Sequence, residues 1–521
     1  MTPLNRVTIA LALVLPWSLL QAQAASPLSK RLQRITDRPA LAHATFGMEV
    51  LAIDTGKVLL AINADKLFTP GSTTKLLTEG AALELLGPDH RFVTRLYRTG
   101  PIGADGTLDG NLVWVASGDP NISGRIRPDG TLAYENFDHS YAGVVPAARV
   151  VAGDPLAVVR DLARQVVAKG VKRIRGNVLV DVGLFPEGEA EAGTGAVISP
   201  VVVNDNIVDV TLESGGAAGA PAVLKASPAS RYVRFTNQVT TGASDSKSDI
   251  GFTADVAGDD GIRTVTVAGS VPAGADAKLL AYKVPQPSRF AQDVLASALE
   301  ELGVSIDAAS VPATPDAYTA DRAVAEHRSL PLAEEIKVTL KVSQNLHASM
   351  TPYIVGATLR PKSEDLYQAG FDVEREFLVK AGLDLSSASQ ADGAGGPGAA
   401  FTPDFMCRYL AFMARSRSST VFAQALPVLG RDGTLSTEMK DSPAAGHVAA
   451  KTGTARLYDA LNRSSLLAGK GLAGYITTRS GKKLAFAAFI NNAPIGSDIA
   501  AAQAVGGALA EAAEAVFEEV P

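Results

Sequence analysis

Three short groups of polar residues in this chain could together perform nucleophilic catalysis. Ser72 and Lys75 are three positions apart, so on a helix the serine hydroxyl and the lysine amine would share one face. A serine becomes a strong nucleophile when a neighbouring base takes its proton. A lysine can be that base when burial or nearby cations lower its pKa. The spacing therefore indicates that Ser72 is a nucleophile and that Lys75 is its base.

The surroundings of Ser72 strengthen this interpretation. Pro70-Gly71 breaks the chain, and the apolar pattern that follows predicts a helix from Ser72 to Leu86. The first turn of a helix favours developing negative charge. The same serine–lysine spacing occurs at Ser244–Lys247 and at Ser480–Lys483, but there it falls in a polar loop and in a hairpin turn. Only the Ser72 pair is therefore a candidate for catalysis.

Two further groups could complete a site. Ser343-Gln344-Asn345 contains a hydroxyl that can pass protons and an amide that both donates and accepts hydrogen bonds. Lys451-Thr452-Gly453-Thr454 follows a strand of small residues, so a cation and two hydroxyls could bind a substrate carboxylate at a sheet edge. Gly453 would let a substrate backbone approach closely. Each group alone is also compatible with a surface polar spot or a turn, but all three in this order are much more specific.

The elements that must position these groups differ along the chain. Residues before about 92 and after about 326 alternate between helical and strand-like patterns. These patterns predict a hairpin over 46–62, a mostly helical stretch over 332–355 and strands at 471–478 and 483–491. The region between them has short β-like runs separated by Gly, Asp and Pro, interrupted by helices predicted at 154–169 and 288–302. We therefore expect the outer segments to form one α/β domain that carries a β-rich insertion.

Composition and targeting signals limit the function classes. Among the 521 residues, 48 are Lys or Arg and 54 are Asp or Glu, and this net charge of −6 argues against a nucleic-acid binder. The single cysteine, Cys407, permits no internal disulfide, and the six scattered histidines predict no metal site and no cofactor. Residues 1–24 have a basic start, an apolar run and a small-x-small end, which predicts a cleaved signal peptide. We expect a periplasmic or secreted protein, and loose association with the membrane surface stays open.

With the three groups in this order, the chain resembles the active-site-serine penicillin-recognising enzymes. About 270 residues separate Ser72 from Ser343, which leaves room for inserted domains. The segment 69–78 and the later motifs are similar to the low-molecular-mass class C penicillin-binding proteins, the D-alanyl-D-alanine carboxypeptidases/endopeptidases. These later motifs are Gly118-Asp119-Pro120, Val203-Asn204-Asp205-Asn206, Asp392-Gly393-Ala394-Gly395 and 430–435.

The resemblance implies a mechanism and its residues. Ser72 would attack the carbonyl between two D-alanines of a peptidoglycan stem peptide, and Lys75 would take its proton. Ser343 and Asn345 would relay protons and hold the peptide, while Lys451, Thr452 and Thr454 would bind the terminal carboxylate beside Gly453. The backbone N–H groups of Ser72 and Thr454 would form the oxyanion hole. Penicillin would trap the acyl-enzyme.

The resemblance also implies the architecture, an α/β multidomain protein. Its penicillin-binding domain, similar to serine β-lactamases and transpeptidases, would have an antiparallel sheet flanked by helices and a large β-rich insertion. We expect a signal peptide at 1–24 and a catalytic domain from 25–92 and 326–521. An inserted domain II would comprise 93–198 and 284–325, and a β-rich domain III would comprise 199–283. The alternatives are a serine β-lactamase or esterase on the same scaffold, and a catalytically idle wall-binding protein.

The chain differs from the family pattern at several places. Ala394 stands where a serine is usual, and Glu438 and Met439 occupy a stretch that often has a basic residue. A glycine-rich segment, Gly188 to Gly195, replaces a tryptophan-rich one, and the Lys451 group is followed by extra residues, Leu457 to Lys470. These differences concern the preference for substrate side chains rather than the acyl chemistry.

Overall fold

The computed structural model describes residues 26–123, 125–311, 318–496 and 499–521. The helices are α1 Pro27–Thr36, α2 Lys75–Leu86, α3 Ala157–Ala168, α4 Pro287–Glu301, α5 Leu332–Val342, α6 Asn345–Leu359, α7 Leu366–Lys380, α8 Pro403–Met413, α9 Ser419–Ala425 and α10 Ile499–Glu519. The strands are β1 Thr45–Ala52, β2 Val58–Ile62, β3 Val93–Arg98, β4 Thr107–Leu108, β5 Leu112–Val115, β6 Arg173–Ile174, β7 Val178–Asp181, β8 Ile207–Glu213, β9 Val223–Ser227, β10 Val233–Gly242, β11 Asp249–Ala257, β12 Arg263–Pro272, β13 Lys278–Lys283, β14 Ser305–Ile306, β15 Ala323–Arg328, β16 Ala388–Ser389, β17 Ala400–Phe401, β18 Val448–Asp459, β19 Ser464–Thr477 and β20 Lys483–Gly496. Short 3-10 turns at Gly71–Thr74, His139–Tyr141, Asn204–Asn206 and Gly433–Leu435 border the site described below.

A five-stranded antiparallel sheet joins the two outer segments of the chain. Its strand order is β18-β19-β20-β1-β2, so β18 lies at an edge. Along β20, Phe486 and its alternate neighbours belong to the hydrophobic cluster that contains α1 and α10. Phe489 and the residues between belong to the cluster on the other face, which contains α2 and α5 to α9, and α8 lies directly on the strand. Successive side chains of β20 therefore face opposite sides of the sheet, and both sets are apolar because the strand lies between two layers of helices. Fully burying each phenylalanine stabilises the fold by roughly 1.5–3 kcal/mol.

The insertion leaves the outer segments and returns to them at one place. Its first strand, β3, pairs antiparallel with its last, β15, and Val93 lies opposite Arg328. One hydrophobic cluster runs from Leu96 to Ala325 and joins both parts that were expected to be separate inserted domains. We propose that the insertion ends after Arg328, because the predicted boundary after residue 325 falls within β15.

The structure agrees with several expected elements and differs at two that matter for the site. The helical pattern through Ser343 is two helices, α5 and α6, which break at that residue. The extra residues after the Lys451 group extend β18 and β19 into a long hairpin. None of the helices in the described ranges combines the length and apolar character that crossing a bilayer requires. The predicted signal peptide, residues 1–24, lies outside those ranges.

Candidate active site

Ser72 and Lys75 lie together at the start of α2. Ser72 is in the 3-10 turn that follows Pro70, and Lys75 is the first residue of the helix. The lysine Nζ lies 2.8 Å from Ser72 Oγ. Ser72 is partly exposed, whereas the Lys75 side chain is fully buried. A reachable hydroxyl beside an enclosed amine is the arrangement that an activated serine nucleophile requires.

The amine of Lys75 is held by two more acceptors and has a lowered pKa. Nζ lies 2.6 Å from Asn345 Oδ1 and 3.1 Å from the carbonyl oxygen of Ala394. Burial lowers the pKa of Lys75 to about 8, although nearby carboxylates, chiefly Glu191, act to raise it. An amine with a pKa near neutrality is a suitable general base, because a useful fraction is unprotonated.

Ser343 and Asn345 lie between Lys75 and Lys451. Ser343 ends α5 in the left-handed conformation, with φ 65°, and Asn345 begins α6. The Nζ of Lys451 donates to Ser343 Oγ at 2.8 Å, just as the Nζ of Lys75 donates to Asn345 Oδ1. The turn between the helices therefore sets the distance between the two amines.

Lys451 and the residues after it lie on the edge strand β18. The Lys451 side chain is fully buried, and its Nζ also donates to the carbonyl oxygen of Thr452 at 2.9 Å. Burial lowers the pKa of Lys451 well below its usual range, and repulsion from Lys75 and Lys470 lowers it further. Repulsion from Lys75 is thus one cause of the low pKa of Lys451, whereas the pKa of Lys75 is lowered by burial.

Gly453 has a structural role in addition to the one expected from the sequence. A Cβ there would overlap the carbonyl oxygen of Pro70, so the absent side chain makes room for the turn that carries Ser72 and not only for a substrate. In the same way Gly71, with φ +52°, has no room for a Cβ beside the backbone of Thr454. The two close approaches hold the nucleophile segment against β18. The backbone of Thr454 therefore lies against Gly71, the residue before Ser72, which agrees with the expected oxyanion hole.

The sequence analysis assigned no role in the site to Ala394, Asp392 or Lys470. Ala394 contributes its carbonyl to Lys75, and Asp392 holds that loop by accepting hydrogen bonds from the N–H groups of residues 394–396. Lys470 lies opposite Thr454 in the β18–β19 hairpin, and its Nζ donates to Thr454 Oγ1 at 2.8 Å. Burial lowers the pKa of Lys470 to about 8. Only the register of the β18–β19 hairpin could have revealed this third lysine at the site.

The glycine-rich segment from Gly188 to Gly195 forms part of the site wall. A Cβ on Gly193 would overlap the side-chain amide of Asn345, so this loop packs directly on the turn between α5 and α6. The carboxylate of Glu191 is buried and accepts hydrogen bonds from the N–H groups of Gly193, at 2.6 Å, and of Thr194. The insertion thus contributes to the wall around Asn345 and Lys75.

One group of side chains in the described residues has the proximity that metal ligands need. Atoms of Asp138, His139 and Asp205 all lie within 4.8 Å of one another. Both ring nitrogens of His139 already contact carboxylates, those of Asp205 and Asp209. We therefore interpret this group as a hydrogen-bonded ion pair, and the expected lack of a metal stays a prediction.

Comparison with known proteins agrees with this geometry. A sequence model of the D-Ala-D-Ala carboxypeptidase 3 (S13) family matches residues 28–515. The D-alanyl-D-alanine carboxypeptidase of Actinomadura sp. (strain R39) is 28% identical over 506 residues, which cover 93% of this chain and 84% of the relative. The D-alanyl-D-alanine carboxypeptidase DacB of Haemophilus influenzae is 24% identical over 420 residues, which cover 78% of this chain and 77% of the relative.

The fold has a solved counterpart. The crystal structure of penicillin binding protein 4 (dacB) from Haemophilus influenzae aligns with a TM-score of 0.69 at 20% identity, covering 94% of this chain and 99% of that chain. A second structure of the same protein, complexed with a β-lactam, aligns with a TM-score of 0.67 at 21% identity, covering 94% of this chain and 99% of that chain. The expected penicillin-binding α/β fold is therefore confirmed. Because the family match extends over nearly the whole described chain, this protein belongs to the D-Ala-D-Ala carboxypeptidase 3 (S13) family.

Proposed function

We propose that the protein cleaves the D-alanyl-D-alanine bond of peptidoglycan stem peptides through an acyl-enzyme on Ser72. The observation that carries this proposal is the contact of Lys75 Nζ with both Ser72 Oγ and Asn345 Oδ1, at 2.8 and 2.6 Å. Lys75 takes the hydroxyl proton as Oγ bonds to the carbonyl carbon. The negative charge on the carbonyl oxygen is stabilised by the backbone N–H groups of Ser72 and Thr454.

The remaining steps complete the cycle. The carbon–nitrogen bond breaks as the leaving D-alanine nitrogen receives, by way of Ser343, the proton that Lys75 took from Ser72, so that Lys75 is neutral again. Water then gives a proton to Lys75 and bonds to the acyl carbon, and the displaced Oγ takes that proton from Lys75. When the leaving group is a cross-linked peptide, the same steps give endopeptidase activity. A β-lactam is opened by the same attack, and its acyl-enzyme persists.

The test of this function is direct. Purified protein is incubated with a peptide that ends in D-alanyl-D-alanine, and released D-alanine is quantified. Release is expected, together with covalent labelling by penicillin at one group per chain. The comparisons give no support to a β-lactamase, an esterase or an idle wall-binding protein. Rapid turnover of penicillin without D-alanine release would favour the first of these.

The export proposal rests on the amino-terminal sequence. A cleaved signal peptide at 1–24 would place the protein in the periplasm or outside the cell, where peptidoglycan is. We propose that location. Fractionation of producing cells, with amino-terminal sequencing of the mature chain near Ala25, tests it.

The rate of acylation should depend on pH through Lys75. Its pKa is lowered to about 8 by burial, and only the neutral amine can accept the proton of Ser72. We therefore expect the acylation rate with a chromogenic β-lactam to rise up to about tenfold per pH unit below this pKa and to level off above it. The uncatalysed hydrolysis of the same compound is the control. A rate that stays constant from about pH 6 to about pH 9 would contradict the role of Lys75 as the base.

Strands β18 and β19, which carry Lys451 and Lys470, should set the preference for substrates with a free terminal carboxylate. Thr452 Oγ1 contacts Thr434 Oγ1 at 2.8 Å, and Lys470 donates to Thr454, so hydroxyls and a cation surround the end of the cleft. We expect the wild-type protein to prefer a D-alanyl-D-alanine acid to its amide. Thr452→Val and Lys470→Met should each reduce that preference by about tenfold, because one charge-assisted hydrogen bond contributes roughly 1.5–3 kcal/mol.

Matched substitutions on the same sheet separate this effect from a general one. Thr477→Val and Lys483→Met change exposed residues of β19 and β20 and should leave the preference unaltered. The measurement is kcat/KM for the acid and the amide with all five proteins. Equal cleavage of acid and amide by the wild type would show that β18 does not bind the carboxylate.

A further inference from the structure

The insertion contacts the turn between α5 and α6 directly. The hydroxyl of Tyr141 donates to the carbonyl oxygen of Ser343 at 2.7 Å. The side-chain amide of Gln344 lies 3.2 Å from Asp138 Oδ1 and 3.3 Å from Ser140 Oγ. These contacts come from one short segment, residues 138–141, and reach the backbone on which both Ser343 and Asn345 depend.

Asp205 ties a second segment of the insertion to the same region. Its Oδ1 lies 2.8 Å from Nε2 of His347, which is on α6 two positions after Asn345. Its Oδ2 lies 2.6 Å from Nε2 of His139, in the 138–141 segment. The other nitrogen of His139 lies 2.9 Å from Asp209 on β8. A single carboxylate therefore bridges the insertion and the helix that presents Asn345.

The charges of this bridge are mutually stabilised. Burial alone lowers the pKa of His139, but the carboxylates of Asp209 and Asp205 outweigh it and raise the pKa to about 10. Burial acts to raise the pKa of Asp205, but hydrogen bonds from His139 and His347 outweigh it and lower that pKa. The imidazolium of His139 and the carboxylate of Asp205 are therefore both charged near neutral pH.

The backbone of Asp205 shows that its placement is enforced. Asn204, Asp205 and Asn206 all have positive φ, 52°, 54° and 54°, a conformation that residues with a Cβ rarely adopt in succession. Side-chain hydrogen bonds hold it: Asn204 Nδ2 donates to Asp209 Oδ2 at 3.1 Å, and Asn206 Nδ2 donates to the carbonyl of Val197 at 2.9 Å. These hydrogen bonds hold the segment in a strained conformation, and they thereby fix the direction of the Asp205 carboxylate.

We propose that Asp205 is a positioning residue for the turn between α5 and α6, which carries Ser343 and Asn345. Through His347 and His139 it holds α6 and the 138–141 segment together, and so fixes Ser343 and Asn345 relative to Lys451 and Lys75. This inference rests on the proposed function and adds to it a role for the insertion in the chemical step. A displacement of about 1 Å of a positioned group can cost roughly 10²-fold in rate.

The test measures the acylation step and initial binding separately in two variants, Asp205→Asn and His347→Gln. With a chromogenic β-lactam, the limiting acylation rate constant should fall about 10–100-fold in each variant, while the dissociation constant of the initial complex changes little. Because both residues act through one contact, the double variant should be no slower than the slower single variant. The matched control is Asp255→Asn, which breaks another carboxylate contact of the insertion, with Arg263 and Tyr282, far from the turn in sequence.

The outcomes are distinct. Folded variants with the wild-type acylation rate, or a loss equal to that of Asp255→Asn, overturn the positioning role. Additive losses in the double variant overturn the shared contact. Failure of both single variants to fold, judged by thermal melting, makes the bridge structural and also overturns the proposal. A wild-type protein that no β-lactam acylates refutes the proposed function itself, and a wild type that reacts normally leaves only the role of Asp205 to be decided.

Discussion

Replacing Ser72 by alanine is expected to abolish both covalent labelling by penicillin and release of D-alanine, while the fold persists. The substitution removes only Oγ, the atom that forms the acyl bond. Lys75 keeps its other two acceptors, Asn345 and the carbonyl of Ala394, so the buried amine does not lose all its partners. We expect residual D-alanine release at least about 10³-fold below wild type. Quantitative labelling and a thermal melt measure the two effects.

The chain supplies matched controls for this substitution. Ser244 and Ser480 each precede a lysine by the same three positions, but they lie in a loop and a hairpin turn outside the site. Ser244→Ala and Ser480→Ala should therefore label normally and release D-alanine at the wild-type rate. Stoichiometric labelling of Ser72→Ala would remove Ser72 from the role of nucleophile.

Replacing Lys75 by methionine should have the second largest effect. Methionine is close to lysine in length and can occupy the same buried space, but it cannot accept the proton of Ser72. Loss of a general base typically costs about 10²–10⁴-fold, so we expect acylation by a β-lactam to slow by that factor. The measurement is the limiting acylation rate constant above about pH 8, where wild-type Lys75 is largely neutral.

The pH dependence of the variant gives an independent criterion. Whatever slow acylation remains in Lys75→Met should no longer increase with pH through the pKa of Lys75. Lys247→Met, in the exposed loop before β11, is the matched control and should retain the wild-type profile. If Lys75→Met acylates at the wild-type rate with the same pH profile, another group is the base.

Much of the site could be predicted because its residues carry local signals. Ser72 and Lys75 follow a Pro-Gly break at the start of an apolar helix, and Lys451 follows a strand of small residues. The structure brings these two lysines to the two sides of the turn at Ser343 and Asn345. The β1–β2 hairpin and the strands β19 and β20 were likewise predicted from period-two patterns and turn residues, which act over short distances.

The residues that the sequence analysis missed depend on distant pairing. Lys470 reaches Thr454 only because the hairpin register places them opposite each other, and register is not set by either residue alone. Ser343 was expected within a helical stretch, but it has a left-handed conformation and its carbonyl oxygen accepts a hydrogen bond from Tyr141 of the insertion. Gly453 leaves space for the carbonyl oxygen of Pro70, which is far away in sequence. Local propensity contains no information on such tertiary contacts.

The central claim is that Ser72 forms the acyl-enzyme, and peptide-level mass spectrometry after exposure to penicillin tests it most directly. Cleavage after Lys66 and Lys75 releases the peptide 67–75, which contains Ser72 together with Thr69, Thr73 and Thr74. The account predicts one penicillin per chain, on this peptide, with fragmentation assigning the added mass to Ser72. An adduct on another peptide, or on one of the three threonines, would contradict it.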